Sequence, residues 1–60
     1  MVNVTFKMIG KSDTYDAFRK ATRVLEEEGW ATINIKNIIE LDETEEAYPI
    51  YLITAKVWIV

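Results

Sequence analysis

Tyr48 to Val60 reads YPIYLITAKVWIV, and the fold turns on how this stretch is read. Six of its thirteen residues are β-branched (Ile50, Ile53, Thr54, Val57, Ile59, Val60) and three are aromatic (Tyr48, Tyr51, Trp58). Side chains of this kind pack well on a pleated surface, so the stretch is a strand. It is apolar in both phases. Tyr51, Ile53, Ala55, Val57 and Ile59 share one side; Ile50, Leu52, Trp58 and Val60 dominate the other, broken by Thr54 and Lys56. Such a strand is expected mid-sheet and covered on both sides.

Moving outward, Pro49 is tolerated at the start of that strand because its missing N–H costs little there. Asp42 to Ala47 reads as an acidic turn. Upstream of it, Trp30 opens a long alternating strand. Ala31, Ile33, Ile35, Ile39 and Leu41 point one way, and Thr32, Asn34, Lys36, Ile38 and Glu40 the other. Between Asp13 and Glu28 the spacing predicts a helix, capped by Ser12 or Asp13 and stopped by Gly29. Its apolar stripe is Tyr15, Ala17, Phe18, Ala21, Val24 and Leu25. Val2, Val4, Phe6 and Met8 alternate with Asn3, Thr5 and Lys7 in a first strand that Gly10 ends.

The predicted order is β-α-β-β, an α+β fold in one domain, residues 1–60. A right-handed crossover makes the first two strands parallel, and the last returns between them. The result is a three-stranded antiparallel sheet in order 1-3-2 with one helix packed on one face, against Phe6, Ile33, Ile35, Ile53 and Val57. The opposite face is expected to show Ile9, Trp30, Ile38, Ile50, Leu52, Trp58 and Val60. An apolar patch left bare is an interaction site. Self-association, most simply a homodimer, is expected through Ile38, Ile50, Leu52, Trp58 and Val60. Sixty residues bury only about 60% of the unfolded surface, and the chain has no Cys for disulfides and no His for zinc.

Catalytic chemistry has little to stand on. Ser12 is the only serine and no histidine activates it, so it reads as a helix cap. Gly10 and Gly29 form no phosphate-cradling loop. Acid–base catalysis needs paired carboxylates held in a pocket, whereas these fall on a turn and a helix end. No enzyme, cofactor or metal is therefore expected. Glu40–Glu46 could offer oxygen ligands to Ca²⁺ but lacks the EF-hand spacing and its glycine; it reads as a charged hairpin tip. No apolar run approaches the ~18 residues of a membrane span, and the first ten residues do not read as a signal peptide. A cytoplasmic location is expected.

Charge placement is more informative. Net charge is −3, without the basic stripe that direct nucleic-acid binding needs. In the predicted topology Glu40, Asp42, Glu43, Glu45 and Glu46 share one pole with Asp13 and Asp16. Glu26, Glu27 and Glu28 mark the other pole, with Arg19, Lys20 and Arg23 between. Rows of carboxylates on a rigid frame can stand in for spaced phosphates before a basic protein.

Two resemblances bear on this. Gly10-Lys11-Ser12 before the helix, Trp30 opening the second strand, and Tyr51-Leu52-Ile53-Thr54-Ala55-Lys56-Val57 resemble dodecins, small flavin-storing dodecamers. That resemblance implies a flat ligand at Trp30 and Tyr51. Leu52 stands where the family has glutamine, and the stretch before Trp30 is several residues shorter. As a compact, acidic, Cys- and His-free chain, the protein is also similar in type to early host-takeover proteins of bacteriophages. Some of those are dimers whose acidic surface blocks the DNA-binding face of a basic protein such as the histone-like nucleoid protein HU. That likeness implies a DNA-mimic inhibitor, carried by the two acidic poles.

Overall fold

The structure, a computed structural model, describes residues 1–59; Val60, one of the expected self-association residues, lies outside the described residues. The elements are β1 (Val2–Ile9), α1 (Thr14–Glu27), β2 (Thr32–Glu45) and β3 (Tyr48–Trp58). β3 pairs antiparallel with both neighbours, giving the sheet order β1-β3-β2. This is the predicted βαββ arrangement, and it follows from the two-sided apolar character of β3.

Helix α1 begins where its cap dictates. The Asp13 carboxylate accepts the Asp16 N–H at 2.9 Å, and the Asp16 carboxylate reaches back to the Lys11 N–H at 2.8 Å. Two amides at the helix start are thereby satisfied. At the other end Gly29 takes φ +97°. Its N–H bonds the Glu26 carbonyl and the Trp30 N–H bonds the Leu25 carbonyl, a Schellman stop that needs a left-handed residue at Gly29.

The helix buries a narrower stripe than its sequence predicts. Ala17, Ala21 and Leu25 are buried, whereas Tyr15, Phe18 and Val24 are 65%, 39% and 37% exposed. The reason is size matching. Two alanines let α1 approach the large side chains Tyr51 and Ile53; one turn on, Leu25 fills the space over the small Ala55 beside Val57. Val4, Phe6, Met8, Ile33 and Ile35 close the sides. A helix held this near needs only its centre line for the core. Gly10 is part of the same fit, because a Cβ there would run into the Tyr51 ring.

β2 departs from simple alternation. Its register slips between Ile35 and Asn37, where Lys36 is an extra residue with no partner on β3. The bulge reverses the phase. Ile38 pairs with Ile53 and packs on the helix-side core, and Ile39 pairs with Leu52 on the opposite face. The expectation that Ile38 lies on the open face and Ile39 on the helix side is thus overturned by one inserted residue. Trp30 also belongs to the helix side, packed against the Leu25, Ala55 and Val57 cluster, because the Schellman stop folds it back over the helix end. Ile59, past the strand end, is 75% exposed instead of joining the core.

The expected six-residue turn is a two-residue one. β2 runs on to Glu45, which pairs with Tyr48, leaving Glu46 and Ala47 as the loop. Both have positive φ, +52° and +69°, as a type I′ hairpin turn requires. A second irregularity sets Leu41, Asp42 and Glu43 against Ile50 alone. On the other flank the β1–β3 ladder stops where Gly10 donates to the Pro49 carbonyl at 3.0 Å, since proline has no N–H to return the bond.

Candidate functional site

Topology sorts the charged residues into places. The chain leaves β1 beside the start of β3, so the helix N-terminus and the hairpin share one end of a body 38 × 16 × 14 Å. Asp13, Asp16, Glu40, Asp42, Glu43, Glu45 and Glu46 all belong to that end. Glu26, Glu27 and Glu28 lie at the other, beside Trp58, whose carbonyl accepts the Ala31 N–H at 2.9 Å.

These acids are not equivalent. Asp13 is committed to the helix cap. Asp16 holds Lys20 at 3.0 Å and Arg19 at 3.7 Å besides the Lys11 amide. The Lys11 N–H first, and the Lys20 contact second, hold the Asp16 carboxyl below the usual carboxylate range. Glu43 meets Lys7 at 3.2 Å. Among the described residues, Glu26, Glu27, Glu28, Glu40, Asp42, Glu45 and Glu46 are exposed and make no ion pair. No three carboxylates gather closely enough to hold a metal ion among the described residues, because the extended hairpin spreads them along its length.

The second component is the sheet face away from α1. Side chains alternate along β3, so with Tyr51, Ile53, Ala55 and Val57 buried against the helix, Ile50, Leu52, Thr54, Lys56 and Trp58 face the other way, each half-buried. Their flanking partners are Ile9, Lys7, Thr5 and Asn3 on β1, and Ile39, Asn37, Asn34 and Thr32 on β2. This face is not uniformly apolar. Ile9, Ile39, Ile50 and Leu52 make a patch towards the hairpin, a Thr and Asn row follows, and then come Lys56 and Trp58. Of the residues expected to mediate self-association, Ile50, Leu52 and Trp58 lie here, whereas Ile38 does not.

Trp30 and Tyr51, the aromatic pair implied for a flat ligand, both lie on the helix side. Tyr51 is 5% exposed in the core, and Trp30 is half-buried at the helix end. No cavity opens beside them among the described residues. The exposed aromatics among the described residues are Tyr48, whose ring lies under the Lys11 ammonium at 5.7 Å, and Tyr15 and Phe18; these two stack on the outer side of the helix with centroids 6.1 Å apart, and the Arg19 guanidinium lies over the Tyr15 ring at 6.0 Å. Sequence reasoning spent Tyr15 and Phe18 on the core; the alanines at positions 17 and 21 were the signal that a close-packed helix would leave them outside. No helix among the described residues is long and apolar enough to cross a membrane. Compared with protein-family models, curated proteins and solved structures, the chain gives no match.

Proposed function

We propose that the protein is a non-enzymatic, self-associating interaction module whose acidic ends engage and occlude a basic, nucleic-acid-binding protein. The observation that carries this reading is the hairpin. Glu40, Asp42, Glu43, Glu45 and Glu46 fall within seven consecutive positions, all exposed, and only Glu43 is ion-paired among the described residues. Unpaired carboxylates held on a β-hairpin keep their field outside the molecule, where it speeds encounter with a positive surface and fades with salt. The acids at Glu26–Glu28 give a second pole on the same rigid body. A histone-like nucleoid protein in a bacterial cytoplasm has the matching chemistry, and the inhibitor would compete with DNA for it.

The test is displacement of fluorescent duplex DNA from a purified histone-like nucleoid protein. The wild-type chain should release the DNA at low salt and lose the ability at high salt. Asp42→Lys with Glu46→Lys should weaken displacement at least tenfold while the far-ultraviolet spectrum is unchanged. Displacement unaffected by these reversals would remove the hairpin from the function. A flavin-binding alternative would have to work from Trp30, with Tyr51 already in the core; quenching of flavin fluorescence that Trp30→Ala abolishes would establish it.

A further inference from the structure

We propose that the free edge of β1 pairs antiparallel with the β1 edge of a second copy, about a two-fold axis at Thr5, joining two sheets into one of six strands. The two edges of the sheet are not alike. β2, on one flank, is broken at Lys36 and again across Leu41, Asp42 and Glu43, and such breaks discourage pairing with another chain. β1, on the other flank, stays in register with β3 for eight consecutive residues, Val2 to Ile9, with no bulge and no proline. Its outer side has no strand partner among the described residues.

The end of the ladder shows which main-chain groups are free. Gly10 donates to the Pro49 carbonyl in the same register, so the even-numbered residues of β1 bond towards β3. The N–H and C=O groups of Asn3, Thr5, Lys7 and Ile9 therefore point away from the sheet. Side chains divide by the same parity. Val4, Phe6 and Met8 flank the helix-side core yet stay half-buried, and Val2 is 45% exposed, because no strand lies beyond them.

The strand is its own complement when the axis passes through Thr5. Antiparallel pairing there sets Val4 against Phe6 and Val2 against Met8 on the helix side. On the other side it sets Asn3 against Lys7 and Thr5 against Thr5. Aromatic with β-branched and Thr with Thr are favourable cross-strand pairs, and no like charges meet. An axis at Phe6 would put Asn3 against Ile9 and lose the Thr pair. Three bonded pairs, Asn3 with Lys7 twice and Thr5 with itself, exchange about six main-chain hydrogen bonds. The axis stands perpendicular to the joined sheet, so both helices lie on one face and the apolar margins at Val4, Phe6 and Met8 merge.

This pairing rests on the self-association in the proposed function and places it at a sheet edge, which leaves the mixed face and both acidic poles uncovered. Reversal of one copy sets the hairpin acids of one chain beside Glu26–Glu28 of the other at each end of the dimer.

The experiment is sedimentation equilibrium of the chain alone, with amide exchange measured by NMR across the same concentrations. The wild type should be dimeric. Its Asn3, Thr5 and Lys7 amides should exchange slowly when concentrated and rapidly on dilution, whereas those of Val4 and Phe6, bonded to β3, stay protected throughout. Thr5→Pro should give a folded monomer, because the N–H it removes serves no bond within the chain. Asn3→Glu should tighten the dimer about fivefold, since it meets Lys7 of the other copy twice. Leu52→Lys, on the mixed face, should leave the dimer as it was. A monomer at millimolar concentration, a dimer that Thr5→Pro does not weaken, or one that Leu52→Lys dissociates overturns the proposal. So does a dimer that Asn3→Glu fails to tighten, or a β1 edge protected only after a second protein is added. Because the basic partner is absent from these measurements, failure of the pairing is distinct from failure to displace DNA.

Discussion

One strand serves two unlike faces. On its helix side β3 presents Tyr51, Ile53, Ala55 and Val57, all at 5% exposure or less, fitted against two alanines and a leucine. On the other side Ile50, Leu52, Thr54, Lys56 and Trp58 are half-buried, with only the flanking side chains of β1 and β2 beside them. The first face is chemically simple and closed. The second mixes aliphatic, hydroxyl, ammonium and indole groups. The difference teaches that apolar patterning in both phases of a strand need not mean two cores: one side holds the fold together, and the mixed side offers a surface.

The most direct way to break that comparison is to shorten one leucine on each side. Leu25→Ala should cost about 2–5 kcal/mol in denaturant unfolding, because its pocket between Ala55 and Val57 cannot collapse onto a rigid helix and sheet. Leu52→Ala should cost under about 1 kcal/mol. Equal losses for the two would show that the open face is part of the folding core.

The hairpin tip gives a smaller effect of opposite sign. Glu46 and Ala47 sit at positive φ, where L-residues other than Asn and Gly are strained. Glu46→Asn with Ala47→Gly should stabilise the chain by about 1–2 kcal/mol, with the helix-side packing untouched. Thermal unfolding measures this. No gain would mean that the turn has another shape in solution.

The smallest effect sharpens the helix side. Asp16 titrates below its ordinary value of 3.8 in the folded chain, first through the Lys11 amide and then through Lys20. The unfolded chain therefore binds the proton more readily than the folded one. The resulting stabilisation is fully present above pH 3.8 and is lost as pH falls through the lower folded value. Asp16→Asn should flatten the acid limb of the stability–pH curve below that point. An unchanged acid limb would place the titrating group elsewhere.

Much of this was legible in the residues. The βαββ order, the central place of β3, the Asp13 cap and the Gly29 stop all follow from local chemistry, since a cap or a strand preference acts within a few residues. The bulge left a readable trace as well: Ile33, Ile35 and Ile38 are spaced two and then three apart, so keeping all three on one face requires an extra residue at Lys36. Simple alternation missed it. The two-residue turn left no such trace, because Glu46-Ala47 lacks the Asn-Gly signature of its type.

Composition and periodicity by themselves determined which segments are strands and helix, and at which ends the acids collect. Only the tertiary structure decided which apolar residues the core consumes. Tyr15 and Phe18 were left outside and Trp30 and Ile38 drawn in, because burial depends on how closely two surfaces approach and in what register. Those are properties of the pair of elements, and neither element's own sequence fixes them.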